Sequence, residues 1–187
     1  MLILGVLAML GNTLDRLFII KFFDNTQLGY YALGFTARAA ISTIPQSIAT
    51  FYAPKVFQYE KCEEEVFRYY LEKHARVFIL LNAIIIASLF TIIPSLIKSF
   101  LPSYIPSIPL IKVFLLSLIF YGVNSFSSNF LILKKKFGLL YTLYVIPIVC
   151  SFFLYLAAVR FGFGIFGISI VFFLYTFLYF ATVILIS

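Results

Sequence analysis

Six long runs of apolar residues dominate this sequence and limit what it can fold into. A helix needs about 20 mostly apolar residues to cross the hydrocarbon core of a bilayer, and each run is long enough. The runs cover about residues 2–23, 28–57, 77–97, 108–133, 137–159 and 161–186. The sequence therefore predicts an all-α integral membrane protein whose six transmembrane helices form a single unit.

The composition supports a chain that is solvated by lipid. Of its 187 residues, 63% are hydrophobic and 11% are charged, whereas about a quarter of the residues in a soluble domain are charged. The net charge of +7 does not indicate nucleic-acid binding, because the basic residues lie in short connections and form no basic face. The first run lacks the basic segment of a signal peptide, so we expect it to be retained as a helix.

The distribution of lysine and arginine predicts the orientation. Most of these residues lie between Lys55 and Arg76, around the connection at about 58–76, and in Lys134–Lys136. The positive-inside rule makes this side cytoplasmic, and six helices then place both termini there too. Within the connection, Glu64 precedes Arg68 by four residues, a spacing that favours a solvated helix. Docking of a partner to that helix is the alternative.

No catalytic or metal-binding arrangement is apparent. The chain has one histidine, His74, and two widely separated cysteines, Cys62 and Cys150, which do not match the spacing of a metal site or a disulfide framework. The glycines of RFGFGIFG follow no strand, as a phosphate-binding loop would require. We expect a protein that is not an enzyme and needs no cofactor or metal.

The first run contains Asp15 and Arg16 within GNTLDRLFIIKFF. Neighbouring residues on a helix lie about 100° apart, so these two side chains cannot point the same way. Ionisable groups at membrane depth usually face a protein interior or a wet cavity. Either Arg16 or Lys21 reaches the interface while Asp15 pairs locally, or one of the pair faces a hydrophilic cavity.

The second run contains Arg38, about ten residues from its start. Tyr31, Arg38, Ser42 and Gln46 recur at intervals of seven, four and four residues, so they form a polar stripe on one helical face. Arg38 either pairs with Asp15 on the neighbouring helix or contacts an anionic substrate. The second interpretation is preferred here because guanidinium matches the geometry of phosphate.

The fourth run has a similar stripe, made of Ser117, Tyr121, Asn124 and Ser128. Small and polar residues often hold membrane helices together. The alternative is the wall of a cavity that offers hydrogen bonds to sugar hydroxyls.

The run LDRLFIIKFFDNTQLGYYALGFTARAAISTIPQSIATFYAPKVF resembles the start of the second six-helix lobe of Wzx-type polysaccharide flippases. These belong to the multidrug/oligosaccharidyl-lipid/polysaccharide (MOP) exporter superfamily. The resemblance rests on the Asp15–Arg16 pair, the LGYY that begins at Leu28, a basic residue ten positions on, and Pro54 before a charged connection. The run covers about a quarter of the chain, and the helix pattern of the family covers all of it.

The resemblance implies an all-α lobe of a transporter in the bacterial cytoplasmic (inner) membrane. Its substrate would be a lipid-linked oligosaccharide, in particular one linked to undecaprenyl pyrophosphate, used to build surface polysaccharide such as the O-antigen of lipopolysaccharide. The family alternates access to a cavity between two lobes, so a second six-helix lobe is implied, from a missing N-terminal half or a partner chain. The cavity candidates are Arg38, Arg16, Asp15, Gln46, Tyr121 and Asn124.

Three other functions remain open at this point. The chain could belong to a MOP-type exporter of small molecules, or to an integral-membrane enzyme of polysaccharide assembly. It could also be an inactive fragment or scaffold. An assembly enzyme should carry acids, histidines or clustered arginines in its external loops, and the loops on that side are short.

Overall fold

The structure, a computed structural model, describes residues 2–58, 64–133 and 137–186, with side chains described for 5–47, 50–51, 76–77, 79–120, 124 and 138–182. These residues form six α-helices and one short 3₁₀ helix, and they include no strand. In chain order they are α1 (Leu2–Phe22), α2 (Asn25–Gln58), α3 (Glu64–Phe100), the 3₁₀ helix (Pro102–Ser107), α4 (Ile108–Leu133), α5 (Phe137–Arg160) and α6 (Gly164–Ile186).

Glycine and proline determine where several helices end. Pro102 and Pro106 have no N–H to donate, and the chain between α3 and α4 is a 3₁₀ helix there. Gly162 and Gly164 have φ angles of 72° and 63°, in the left-handed region that glycine tolerates. The turn between α5 and α6 therefore extends to Gly164, three residues beyond the start expected for the sixth run.

Within the part of the chain whose side chains are described, four helical segments are long and apolar enough to cross a membrane: Ile79–Phe100, Pro102–Phe120, Gly138–Arg160 and Gly164–Thr182. Together they fit a multi-pass membrane protein. Neither α1 nor α2 is among them; α1 carries three charged residues, and α2 carries Arg38 and many polar side chains. The six crossings predicted from the sequence therefore remain a prediction.

The fourth helix lies at the centre of the bundle. It packs most extensively on α2, α6 and α3, while α5 packs mainly on α6, and α1 mainly on α5. One apolar core joins α1, α2, α4, α5 and α6, with large side chains that include Phe18, Tyr31, Phe114, Tyr155 and Phe172. A second core joins α3 to α4 through Ile86, Ile97, Ile111, Leu115 and Leu118.

The beginnings of α2, α4 and α6 lie at one end of the bundle. Gln27, Tyr30, Pro109, Ile165 and Phe166 line one shallow groove there, and the rings of Tyr30 and Tyr104 are in edge contact at 5.9 Å. Since the helices alternate along the chain, the ends of α1, α3 and α5 lead into the same region. The end of α2, the beginning of α3, the end of α4 and the beginning of α5 lie at the opposite end of the bundle.

Candidate functional site

Asp15 of α1 lies fully inside the bundle, at 0% exposure. The hydroxyl of Tyr31 on α2 donates a hydrogen bond to its Oδ2 at 2.5 Å. Its other oxygen, Oδ1, has no hydrogen-bond partner among the described residues. Burying a carboxyl group in an apolar bundle costs free energy, and ionisable residues at such positions usually have a function.

Arg38 lies two turns beyond Tyr31 on α2 and is only 6% exposed. Its Nε donates a hydrogen bond to Ser117 Oγ on α4 at 3.1 Å. The Ser117 hydroxyl donates to the carbonyl of Phe114 at 2.6 Å, so its oxygen faces Arg38 as an acceptor. The guanidinium carbon Cζ also lies 4.7 Å from the ring centroid of Phe172 on α6. Arg38 is thus held by three helices.

Arg16 lies closer to the surface than its neighbour Asp15 and is half-buried. Its Cζ lies 4.0 Å from the ring centroid of Phe35 on α2, and the Cζ of Arg38 lies 5.9 Å from the same centroid. The two guanidinium groups therefore meet at one aromatic ring. We call Arg16 and Arg38 the arginine pair.

Two further buried tyrosines pack against α1. The ring of Tyr155 on α5 lies 5.4 Å from that of Phe18 on α1, and Tyr175 of α6 is also buried. A Cβ added at Gly11 would lie 2.4 Å from the Tyr175 hydroxyl oxygen, so only glycine lets this hydroxyl approach α1 so closely. Asp15, Tyr31, Arg38, Ser117, Tyr155 and Tyr175 form what we call the polar cluster.

Two of the other predicted cavity residues, Gln46 and Asn124, are less buried than Asp15 and Arg38. Gln46 is exposed on α2. Asn124 is half-buried, and its Nδ2 donates to the carbonyl of Thr176 at 3.3 Å, which joins α4 to α6. This contact is of the kind that holds membrane helices together. The side chain of Tyr121 lies outside the described residues.

Sequence analysis did not identify Phe35, Phe172, Tyr155 or Tyr175 as site residues. All four stand in apolar runs where aromatic residues are common, and nothing in the sequence separates a ring that packs on an arginine from one that faces lipid. Phe35 alone had a usable signal, because it precedes Arg38 by three residues and follows Tyr31 by four, on the polar stripe of α2.

The cluster is suited to binding charge. It contains Asp15 and Arg38, and Arg16 meets Arg38 at the ring of Phe35. Asp15 is the one acidic residue in the sequences of α1, α2, α4, α5 and α6. Two fixed guanidinium groups beside one carboxyl group leave the site positive when all three are ionised. Among the described residues, no group of three or more His, Cys, Asp or Glu side chains could hold a metal ion.

No known protein family, curated protein or solved structure matches this chain. The described residues define a class by their fold and polar cluster: all-helical, with four apolar helices that fit a multi-pass membrane protein, and with Asp15 and Arg38 buried between the helices.

Proposed function

We propose that this chain forms a six-helix lobe of a transporter that flips a lipid-linked oligosaccharide across the bacterial cytoplasmic membrane. The observation that carries the proposal is the arginine pair, which brings two guanidinium groups to the one ring of Phe35. A diphosphate-linked oligosaccharide presents its negative charges next to the lipid, at the level of the membrane. Guanidinium groups bind phosphate oxygens through paired hydrogen bonds.

The sequence resemblance to polysaccharide flippases supports the same proposal, since the resembling run contains Asp15, Arg16 and Arg38. In such a transporter the arginine pair would attract the anionic head group, and Asp15 would fix the position or charge of an arginine. The opposing wall of the cavity would come from a second six-helix lobe, either in the same polypeptide or in a partner.

A purely structural role is the second candidate, and one observation favours it. Arg38 is nearly fully buried and contacts Ser117 and Phe172, so it also ties α2 to α4 and α6. In that case the cluster would stabilise a membrane scaffold and bind no substrate.

Substitution of Arg38 separates the two functions. In cells that depend on the full-length protein, we expect Arg38→Ala to abolish surface polysaccharide and to leave the lipid-linked oligosaccharide on the cytoplasmic side. The abundance of the protein in the membrane should stay near that of the wild type. Arg38→Lys should restore part of the export, because it keeps the charge but loses the two-pronged geometry.

Arg160→Ala is the matched control, because that arginine is exposed at the end of α5 and lies outside the cluster. It should leave polysaccharide unchanged. An equal loss of polysaccharide and of protein abundance in Arg38→Ala would support the structural role instead. Normal polysaccharide with Arg38→Ala would contradict the proposed function.

A further inference from the structure

Three phenylalanine rings from three helices form a compact aromatic group beside the polar cluster. Phe35 of α2, Phe114 of α4 and Phe172 of α6 contact one another edge to face, with centroid distances of 6.1, 6.0 and 5.3 Å. Phe114 and Phe172 are fully buried. We call these rings the aromatic triad. Because each ring is supported by the other two, the position of Phe35 is well determined.

Both members of the arginine pair rest on this triad. Arg16 lies over Phe35 at 4.0 Å, and Arg38 lies 4.7 Å from Phe172 and 5.9 Å from Phe35. Phe35 is the one ring of the triad that lies within cation–π distance of both guanidinium groups. Because both guanidinium groups contact the Phe35 ring, the distance between them is at most the sum of their two distances to its centroid.

Holding two like charges together is unfavourable in apolar surroundings. The negative faces of the aromatic rings offset part of this repulsion, and more so where water is excluded. Asp15 offsets another part, but it is a single acid beside two arginines. The arrangement is therefore complementary to an incoming anion, and best to one that carries two anionic groups side by side.

We propose that Phe35 is a positioning residue that holds Arg16 and Arg38 together as one site for a diphosphate. This inference rests on the proposed function and adds the residue that makes the arginine pair act as a unit. Arg16 is half-buried and can be reached from outside the bundle, whereas Arg38 is buried. The diphosphate meets Arg16 first and engages Arg38 as the second contact. A monophosphate has a single anionic group, so it can bind fully to only one of the two arginines.

The test measures binding to the purified full-length protein in lipid nanodiscs. The probes are farnesyl diphosphate, farnesyl monophosphate and farnesol, which share one lipid tail and differ in head group. We expect the wild type to prefer the diphosphate to the monophosphate, and farnesol to bind weakest. Phe35→Leu should weaken diphosphate binding by about 3–30-fold, the range a partly desolvated cation–π contact provides. Monophosphate binding should change much less.

Two variants control for packing. Phe35→Tyr keeps the aromatic face and should bind the diphosphate as the wild type does. Phe90→Leu removes another ring under a cation, since Lys112 Nζ lies 5.1 Å from the Phe90 centroid in the contact between α3 and α4. It should not alter the preference for diphosphate. If Phe35→Leu does not fold, Arg16→Gln, at a half-buried position, should abolish the same preference.

Either of two results would overturn the inference: wild-type protein that does not distinguish the diphosphate from the monophosphate, or a folded Phe35→Leu or Arg16→Gln variant with an unchanged preference. Neither result decides the proposed function, which is read from polysaccharide export in the Arg38 variants. Export that requires Arg38, together with no diphosphate preference, would retain the transporter and remove the role of Phe35.

Discussion

At the scale of single residues, the adjacent Asp15 and Arg16 have different surroundings. The sequence predicted that they point in different directions, and the structure buries Asp15 fully while Arg16 remains half-buried. The polar stripe of α2 is likewise divided, since Tyr31, Arg38 and Ser42 are buried and Gln46 is exposed. The spacing of these residues predicts that they share one helix face. It does not predict how far along α2 that face is covered by neighbouring helices.

Tyr31→Phe tests the link between Tyr31 and Asp15. The substitution removes the hydroxyl that donates a hydrogen bond to Asp15 Oδ2, so this oxygen loses that donor. We expect a loss of about 1–2 kcal/mol in the free energy of unfolding, within the range for interhelical hydrogen bonds in membranes and for an unsatisfied buried group. Thermal unfolding in detergent, followed by the fluorescence of a thiol-reactive dye or by circular dichroism, measures it.

Tyr30→Phe is the control, because Tyr30 is half-buried at the end of the bundle and lies outside the polar cluster. Its midpoint should remain within about one degree of the wild type, as expected for a change outside such features. A Tyr31→Phe variant as stable as Tyr30→Phe would show that the contact with Asp15 contributes little to folding.

At the scale of helices, the contact between α2 and α4 depends on a small residue. A Cβ at Gly34 would lie 2.9 Å from Cδ2 of Phe114, inside normal contact distance. Small residues let membrane helices approach closely, and here the approach lets Phe114 join the aromatic triad and brings Ser117 within reach of Arg38. Gly34 therefore links the packing of two helices to the geometry of the polar cluster.

Gly34→Ala should consequently displace Phe114 and loosen the contact between α2 and α4. We expect a loss of about 1–3 kcal/mol in stability, the usual range for overpacking a tight contact. Gly29→Ala is the matched control on the same helix, because nothing lies within 4 Å of a Cβ added there. That variant should be neutral, or more stable by up to about 1 kcal/mol owing to the higher helix propensity of alanine. Unfolding midpoints for the two variants in the same detergent would test this, and equal midpoints would contradict it.

At the scale of the whole molecule, the charged helices α1 and α2 must be placed relative to the bilayer. Among the described residues, four helical segments are apolar enough to cross it on composition alone, and none of them lies in α1 or α2. Yet Asp15 and Arg38 lie in the core that joins α1 and α2 to α4, α5 and α6. Their side chains thus point away from the outer surface of the bundle. This lowers the free-energy cost of a membrane crossing by α1 and α2.

Reporter fusions test the six crossings and the orientation. We expect fusions after Lys61 and Lys135 to report the cytoplasm, and fusions after Asp24, Tyr104 and Gly162 to report the external side. Fluorescence of a green fluorescent protein fusion reports the cytoplasmic side, and activity of an alkaline phosphatase fusion reports the external side. The fusion after Asp24 is decisive for α1 and α2. A cytoplasmic signal there, with an external signal after Tyr104, would mean that these two helices do not each cross the membrane.

The sequence by itself determined the class of the molecule: helical, built of long apolar runs and suited to a membrane. It also singled out Asp15, Arg16 and Arg38 as unusual. These are local properties, because a run of apolar residues or a charge within it can be read without knowing its neighbours. Only the tertiary structure decided that Phe35 and Phe172 contact the arginines and that Tyr155 and Tyr175 pack against α1, the helix that carries Asp15. The physical reason is that lipid and protein interior are similarly apolar, so hydropathy does not distinguish a helix face that meets lipid from one that meets another helix.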